Sequence, residues 1–161
     1  MMPKLGNPLV YNLLEVADGL ALSPGTPNVR KAAMRRAVST AYYAVFHALC
    51  YLCADELVGW SRTGTHDPIY RSVDHGSAKT RLAGKAAERI GSTVLAIGAA
   101  FTKLQDDRHA ADYASPVLPV SLERTQTIIA SARQTIALIE EVQKPQRLEL
   151  AILLVAKPRP I

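Results

Sequence analysis

Arg35–Leu49 reads RRAVSTAYYAVFHAL. Val38, Tyr42, Val45, Phe46 and Leu49 recur at spacings of three and four residues, which puts them on one side of an α-helix. The stripe continues through Leu52 and Cys53, so a long helix is expected from about Asn28, a suitable N-cap, to about Leu57. Beside it runs a polar stripe, Arg35, Ser39, Tyr43 and His47, each four residues after the last. A helix with an apolar face and a polar seam next to it predicts a bundle that holds polar groups between helices.

Asp107–Tyr113, DRHAADY, carries the same message from a second helix. The helix expected from about Thr93 to about Tyr113 has Val94, Ile97, Phe101 and Leu104 as its buried stripe. The next step of that stripe is Arg108, and the one after is Ala111 and Asp112. A lone charge facing a bundle is costly, so Arg108 needs a partner, and Asp112 at i+4 supplies one. The pair is either a structural ion pair near a helix end or part of an anion site, since a guanidinium fork matches phosphate oxygens. His47 is likewise either a packing residue bonded to a neighbouring helix or a proton-transfer group.

The rest of the chain also reads as helix. Pro8 suits a first turn, with Leu9, Leu13, Val16 and Leu20 as one apolar face, and a turn follows at 23–28. Residues 58–75 have no clean period and are expected to be irregular, with room for one turn of helix. A helix is expected from about Ser77 to Ile90, ended at Gly91 and Ser92. Another starts near Ser121, buries Leu122, Ile129, Ala132, Ile136 and Ile139, and stops at Pro145. No run alternates with period two. The expectation is an all-α protein, an antiparallel four- to five-helix up-and-down bundle formed by one domain over 1–145. The tail, 146–161, is apolar and then Pro-rich; it docks as a short helix or strand, or covers a partner subunit.

The chain has 161 residues, of which 48% are hydrophobic and 20% charged, enough apolar material for one core. A net charge of +5 suits RNA, DNA or an acidic partner without selecting one. Cys50 and Cys53 form a C-x-x-C pair inside the helical pattern and are expected as buried, reduced thiols, which fits a cytoplasmic protein. MMPKLGNPLV lacks the apolar run of a signal peptide, and Leu148–Ala156 is too short to span a bilayer, so no membrane role is expected. Phosphate-loop, dinucleotide and nucleophile-elbow motifs are missing, and His47, His66, His75 and His109 make no metal-ligand pattern. No cofactor or metal is expected. Lys79, Arg81, Lys85 and Arg89 form a basic face, read as solvated surface for want of an aromatic ladder beside it.

Taken together, the two segments resemble HEPN domains (higher eukaryotes and prokaryotes nucleotide-binding). They are most similar to the small stand-alone bacterial group with an S-x-A-Y-Y-A-x-F-H-A helix and a later R-x-x-A-D-Y segment. Here these are Ser39, Ala41–Ala44, Phe46–Ala48, and Arg108, Ala111, Asp112 and Tyr113. His75-Gly76-Ser77 resembles that group's loop-to-helix position. The resemblance covers about 30–142 and implies an all-α bundle, usually a homodimer, that engages RNA or a nucleotide. Many HEPN domains are metal-independent endoribonucleases marked by an Arg followed, one to two helical turns later, by a His. Others bind without catalysis, and some pair with a nucleotidyltransferase in toxin–antitoxin modules. This chain departs from the nuclease signature: the window after Arg108 holds Tyr113, Ala114 and Ser115, and His109 is adjacent to the Arg. A phenol is a poor proton-transfer group at neutral pH.

The resemblance therefore implies a non-catalytic or weakly catalytic protein that binds through Arg108, Asp112, Tyr43, Arg35 and Ser39. If cleavage survives, Arg108 would act with His47 or Tyr113. The remaining alternative is a structural interaction bundle that binds no nucleic acid.

Overall fold

A computed structural model describes residues 5–59 and 64–161. Among these, every regular element is helical: α1 Pro8–Ala21, α2 Pro27–Leu57, α3 His66–Tyr70, α4 His75–Leu82, α5 Lys85–Ile90, α6 Ser92–Tyr113, α7 Leu122–Glu141 and α8 Gln146–Val155. The four long ones are α1, α2, α6 and α7. The irregular stretch expected at 58–75 holds α3, and its residues 60–63 lie outside the described residues, as do residues 1–4 of the N-terminal stretch.

The centre is α2, which packs against α1, α3, α6, α7 and α8. It starts earlier than expected. Thr26, not Asn28, is the N-cap, its Oγ1 accepting from the Val29 N–H at 3.3 Å, and Pro27 opens the helix. Tyr42, Val45, Leu49, Leu52 and Cys53 are fully enclosed. The most apolar window of α2 has a mean hydropathy of 1.3, yet 78% of it is buried against other helices, as a core helix requires.

Side-chain bonds give the helix directions. Arg35 of α2 reaches the Ala111 carbonyl of α6, and Tyr42 packs on Phe101, so α2 and α6 are antiparallel. Tyr11 bonds Glu140, and Arg133 bonds Asp18 at 2.8 Å, so α1 and α7 are antiparallel. Arg147 and Ala151 meet Glu56 and Cys53, so α8 runs back along α2.

Three expectations need correction. In α7, Ile129, Ala132, Ile136 and Ile139 are buried as expected, but Leu122 is exposed, because it opens the first turn, beyond the reach of the core. The buried face of α1 is Val10, Leu14, Ala17 and Ala21, while Leu9 and Val16 are exposed. Apolar residues come in adjacent pairs along α1, and a shift of one residue turns the face by about 100°. The segment 77–90 is not one helix: it breaks at Ala83 and Gly84 into α4 and α5. The basic face splits with it. Lys79 pairs with Asp106, Arg81 donates to the Leu153 carbonyl at 3.0 Å, and Lys85 and Arg89 stay exposed. The tail docks as α8, with Leu150, Ala151 and Leu154 buried in the same core as the other helices.

Cys50 and Cys53 are free and buried, as expected. Burial raises both thiols, Cys53 to about 12, so neither forms a thiolate at neutral pH.

Gly98 lets α6 touch α4 backbone to backbone. A Cβ there would sit 2.4 Å from the Leu82 carbonyl oxygen. Gly→Ala in a helix interior ordinarily stabilises by about 1 kcal/mol. Here the sign reverses, and Gly98→Ala is expected to destabilise by about 1–3 kcal/mol in urea unfolding. A variant as stable as the wild type would show that α4 docks elsewhere.

Candidate functional site

The polar cluster forms where α2, α6 and the start of α4 meet. Arg108 and Asp112 face inward, as their stripe predicts, each with a side chain 15% exposed. Their ion pair, Nη1 to Oδ2, is 3.7 Å long, beyond hydrogen-bond length. Asp112 has two other neighbours: Arg36 at 3.6 Å, and Ser39, whose Oγ donates to it at 3.3 Å. Arg108 is less well served. Its Nε is buried without a hydrogen-bond partner among the described residues. Its Cζ lies 5.0 Å from the Tyr42 ring centroid and 5.9 Å from that of Tyr43, so the guanidinium rests on two aromatic faces.

Those rings lead to a histidine. Tyr42 is fully buried, and its hydroxyl lies 2.7 Å from His75 Nδ1. Burial pushes the Tyr42 phenol well above its usual value against the opposing pull of Arg108. The His75 ring stacks on Phe46, with centroids 3.8 Å apart. Its pKa is lowered by burial first, then by the Arg108 charge.

His47 is oriented elsewhere. Its Nδ1 is 2.6 Å from the Tyr70 hydroxyl on α3, and that hydroxyl accepts from Asn7 Nδ2 at 3.0 Å. The phenol of Tyr70 is pushed up to about 12 by burial, and burial lowers His47.

Of the residues singled out in the sequence, Arg108, Asp112, Ser39 and Tyr43 come together. Arg35 is spent on the end of α6. It donates Nε to the Ala111 carbonyl at 2.7 Å, Nη1 to Ser115 at 3.3 Å, and Nη2 to Ala114. It caps orphan carbonyls and so positions Asp112. Tyr113 is 71% exposed and tilts against His109, outside the buried cluster. By spacing Tyr42 falls in the apolar stripe, where its ring belongs but its hydroxyl does not. Nothing in the sequence marks His75 beyond a loop-to-helix position, and nothing marks Arg36.

A groove of about 790 Å³ borders the cluster, lined by Lys31, Arg35, Arg36, Asp112 and Tyr113 among others. It opens on the Asp112 side and does not include Arg108. The described residues place no three His, Cys, Asp or Glu side chains together as metal ligands.

Compared with protein-family models, with curated proteins and with solved structures, the chain has no significant match.

The two depressed histidines make stability depend on pH. Both titrate below their ordinary value of 6.5 in the folded protein. Their contribution is therefore complete above the unfolded pKa and is lost as pH falls toward the folded values. The Tm is expected to drop from about pH 6.5 downward, and His47→Gln with His75→Gln should flatten the drop. Thermal melts across this range check it; an equally steep drop in the double variant would place the titrating groups elsewhere.

Proposed function

We propose that this chain is a HEPN-type protein that binds RNA or a nucleotide through the Arg108 cluster, with weak catalysis or none. The observation that carries the reading is Arg108 itself: a mostly buried guanidinium with an ion pair of 3.7 Å and an Nε that has no partner among the described residues. Buried polar groups are nearly always satisfied, and phosphate oxygens are the acceptors that a planar fork fits best. The net charge of +5 adds a favourable long-range field for a polyanion. The antiparallel pairs α1–α7, α2–α6 and α2–α8 support the finer proposal of an up-and-down HEPN bundle. The resemblance further implies a homodimer and a nucleotidyltransferase partner in a toxin–antitoxin-type module, and the reduced thiols fit a cytoplasmic protein; sedimentation and co-purification test the first two.

The test is incubation of the purified protein with labelled single-stranded and structured RNA, with and without EDTA, and with Arg108→Ala beside it. Binding without cleavage, lost in the variant, is the expected result. A metal-independent endoribonuclease is the second reading, favoured by one observation: the imidazole of His75 shares two tyrosine neighbours with Arg108. EDTA-resistant cleavage that disappears with Arg108→Ala would establish it. Neither binding nor cleavage would leave an interaction bundle.

A further inference from the structure

His75 is fixed more firmly than a chance neighbour of Arg108 would be. Tyr42 holds its Nδ1 at 2.7 Å, Phe46 stacks on one face at 3.8 Å, and Tyr43 meets it at 5.8 Å edge to face. Nε2 makes no hydrogen bond to a described residue. The rings of Tyr42 and Tyr43 each border both His75 and the Arg108 guanidinium. An oriented imidazole with one bonded and one free nitrogen thus stands beside a guanidinium whose fork is incompletely used.

We infer that Arg108 and His75 together hold one phosphate group of the bound RNA, the guanidinium supplying charge and the Nε2–H of His75 a second donor, with Tyr42 fixing that tautomer. The inference rests on the RNA-binding reading and adds a recognition residue that no spacing in the sequence marks. The tautomer follows from charge. The Arg108 charge acts on the Tyr42 hydroxyl and makes it a better donor than acceptor, so its O–H points at Nδ1 and the imidazole proton stays on Nε2. Two donors from different helices then face one phosphodiester, whose two free oxygens accept them.

Binding should take up a proton. The groups that face His75 are Tyr42, Tyr43 and His47 on α2, Arg108 on α6, and Asp74 next to it in the chain. In the free protein, burial, Arg108 and His47 favour the neutral ring, with Asp74 opposing. A bound phosphate offsets the field of Arg108 and places negative charge at Nε2, which raises the pKa. Affinity should therefore rise as pH falls through the interval between the bound and free values.

The experiment is fluorescence anisotropy with a labelled single-stranded decaribonucleotide between about pH 8 and 5.5, with circular dichroism on every variant to confirm folding. Wild-type affinity is expected to rise about tenfold toward the acid end, the equivalent of a one-unit pKa change. His75→Gln keeps a neutral N–H donor, so it should bind near wild type at high pH but without the pH slope. His75→Ala should lose about tenfold or more throughout. Tyr42→Phe should bind weakly at pH 8 and recover toward wild type at pH 5.5, where both ring nitrogens carry protons and the tautomer no longer matters. If His75→Ala does not fold, His75→Gln and Tyr42→Phe carry the test. Wild-type affinity in His75→Ala, or an unchanged slope in His75→Gln, overturns this inference while leaving RNA binding through Arg108 intact. Full affinity in Arg108→Ala, or no binding by the wild type, overturns the underlying reading and this inference with it.

Discussion

On the proposed RNA-binding function, Arg108→Ala is expected to weaken binding ten- to a hundredfold while costing the fold no more than about 1–2 kcal/mol. The small stability cost follows from who holds Asp112. With Arg108 gone, Asp112 keeps Arg36 at 3.6 Å and the Ser39 hydroxyl at 3.3 Å, so no carboxylate is stranded. What the fold loses is the guanidinium over the Tyr42 and Tyr43 rings and the packing of the side-chain stem. The large binding cost follows from the charge-assisted bonds that a fork makes to phosphate, which are about twice as strong as neutral ones. A purely structural role predicts the opposite pattern, about 3–5 kcal/mol of lost stability and no effect on RNA. Urea unfolding and RNA titration on the same preparation separate the two. Arg108→Lys refines the answer: it keeps the charge and loses the fork, so its affinity should fall between the wild type and the alanine variant.

Arg147→Ala is expected to destabilise by about 3 kcal/mol, the largest stability effect anticipated for a charged residue here. Arg147 sits on α8 with a side chain 15% exposed and joins two carboxylates of α2: Asp55 at 2.9 Å and Glu56 at 3.1 Å. Glu56 is only 5% exposed. Its other cation, Lys144 at 3.5 Å, is 76% exposed and well screened by water, so it cannot compensate. Loss of Arg147 therefore leaves a carboxylate buried without an adequate partner. The same change unpins α8, so limited proteolysis should cut within Gln146–Val155 sooner than in the wild type. Adding Glu56→Gln should return part of the stability, because the stranded charge is then gone. A single variant as stable as the wild type would show that α8 is held by Leu150 and Leu154 alone.

How much was legible in the sequence depended on how one-sided each helix is. In α6 the stripe Val94–Leu104 alternates with exposed residues such as Ala96, Ala99 and Lys103, which fixes its phase, and the stripe is buried; α2 is enclosed on nearly every side over 37–54, so Val38–Cys53 lies in the core whatever the phase. In α1 adjacent apolar pairs blurred the phase, and the predicted face was turned by one residue. The break between α4 and α5 was missed because Gly84 sits in an otherwise acceptable helical pattern, and Gly alone costs a helix only about 1 kcal/mol.

The spacing of residues along the chain is enough to show that this is a helical protein, that Arg108 and Asp112 point inward, and that the thiols of Cys50 and Cys53 are buried. Each of these rests on the helical period, which is a local property of the chain. The membership of the polar cluster depends on long-range packing. His75 is 33 residues from Tyr42 in the chain, and no spacing rule links them; the docking of α4 on α6 brings them to hydrogen-bond distance. The position of Arg35 in the polar stripe of α2 promised a free cation. The C-terminus of α6 ends beside it, and the carbonyls of Ala111, Ala114 and Ser115 take its Nε, Nη2 and Nη1.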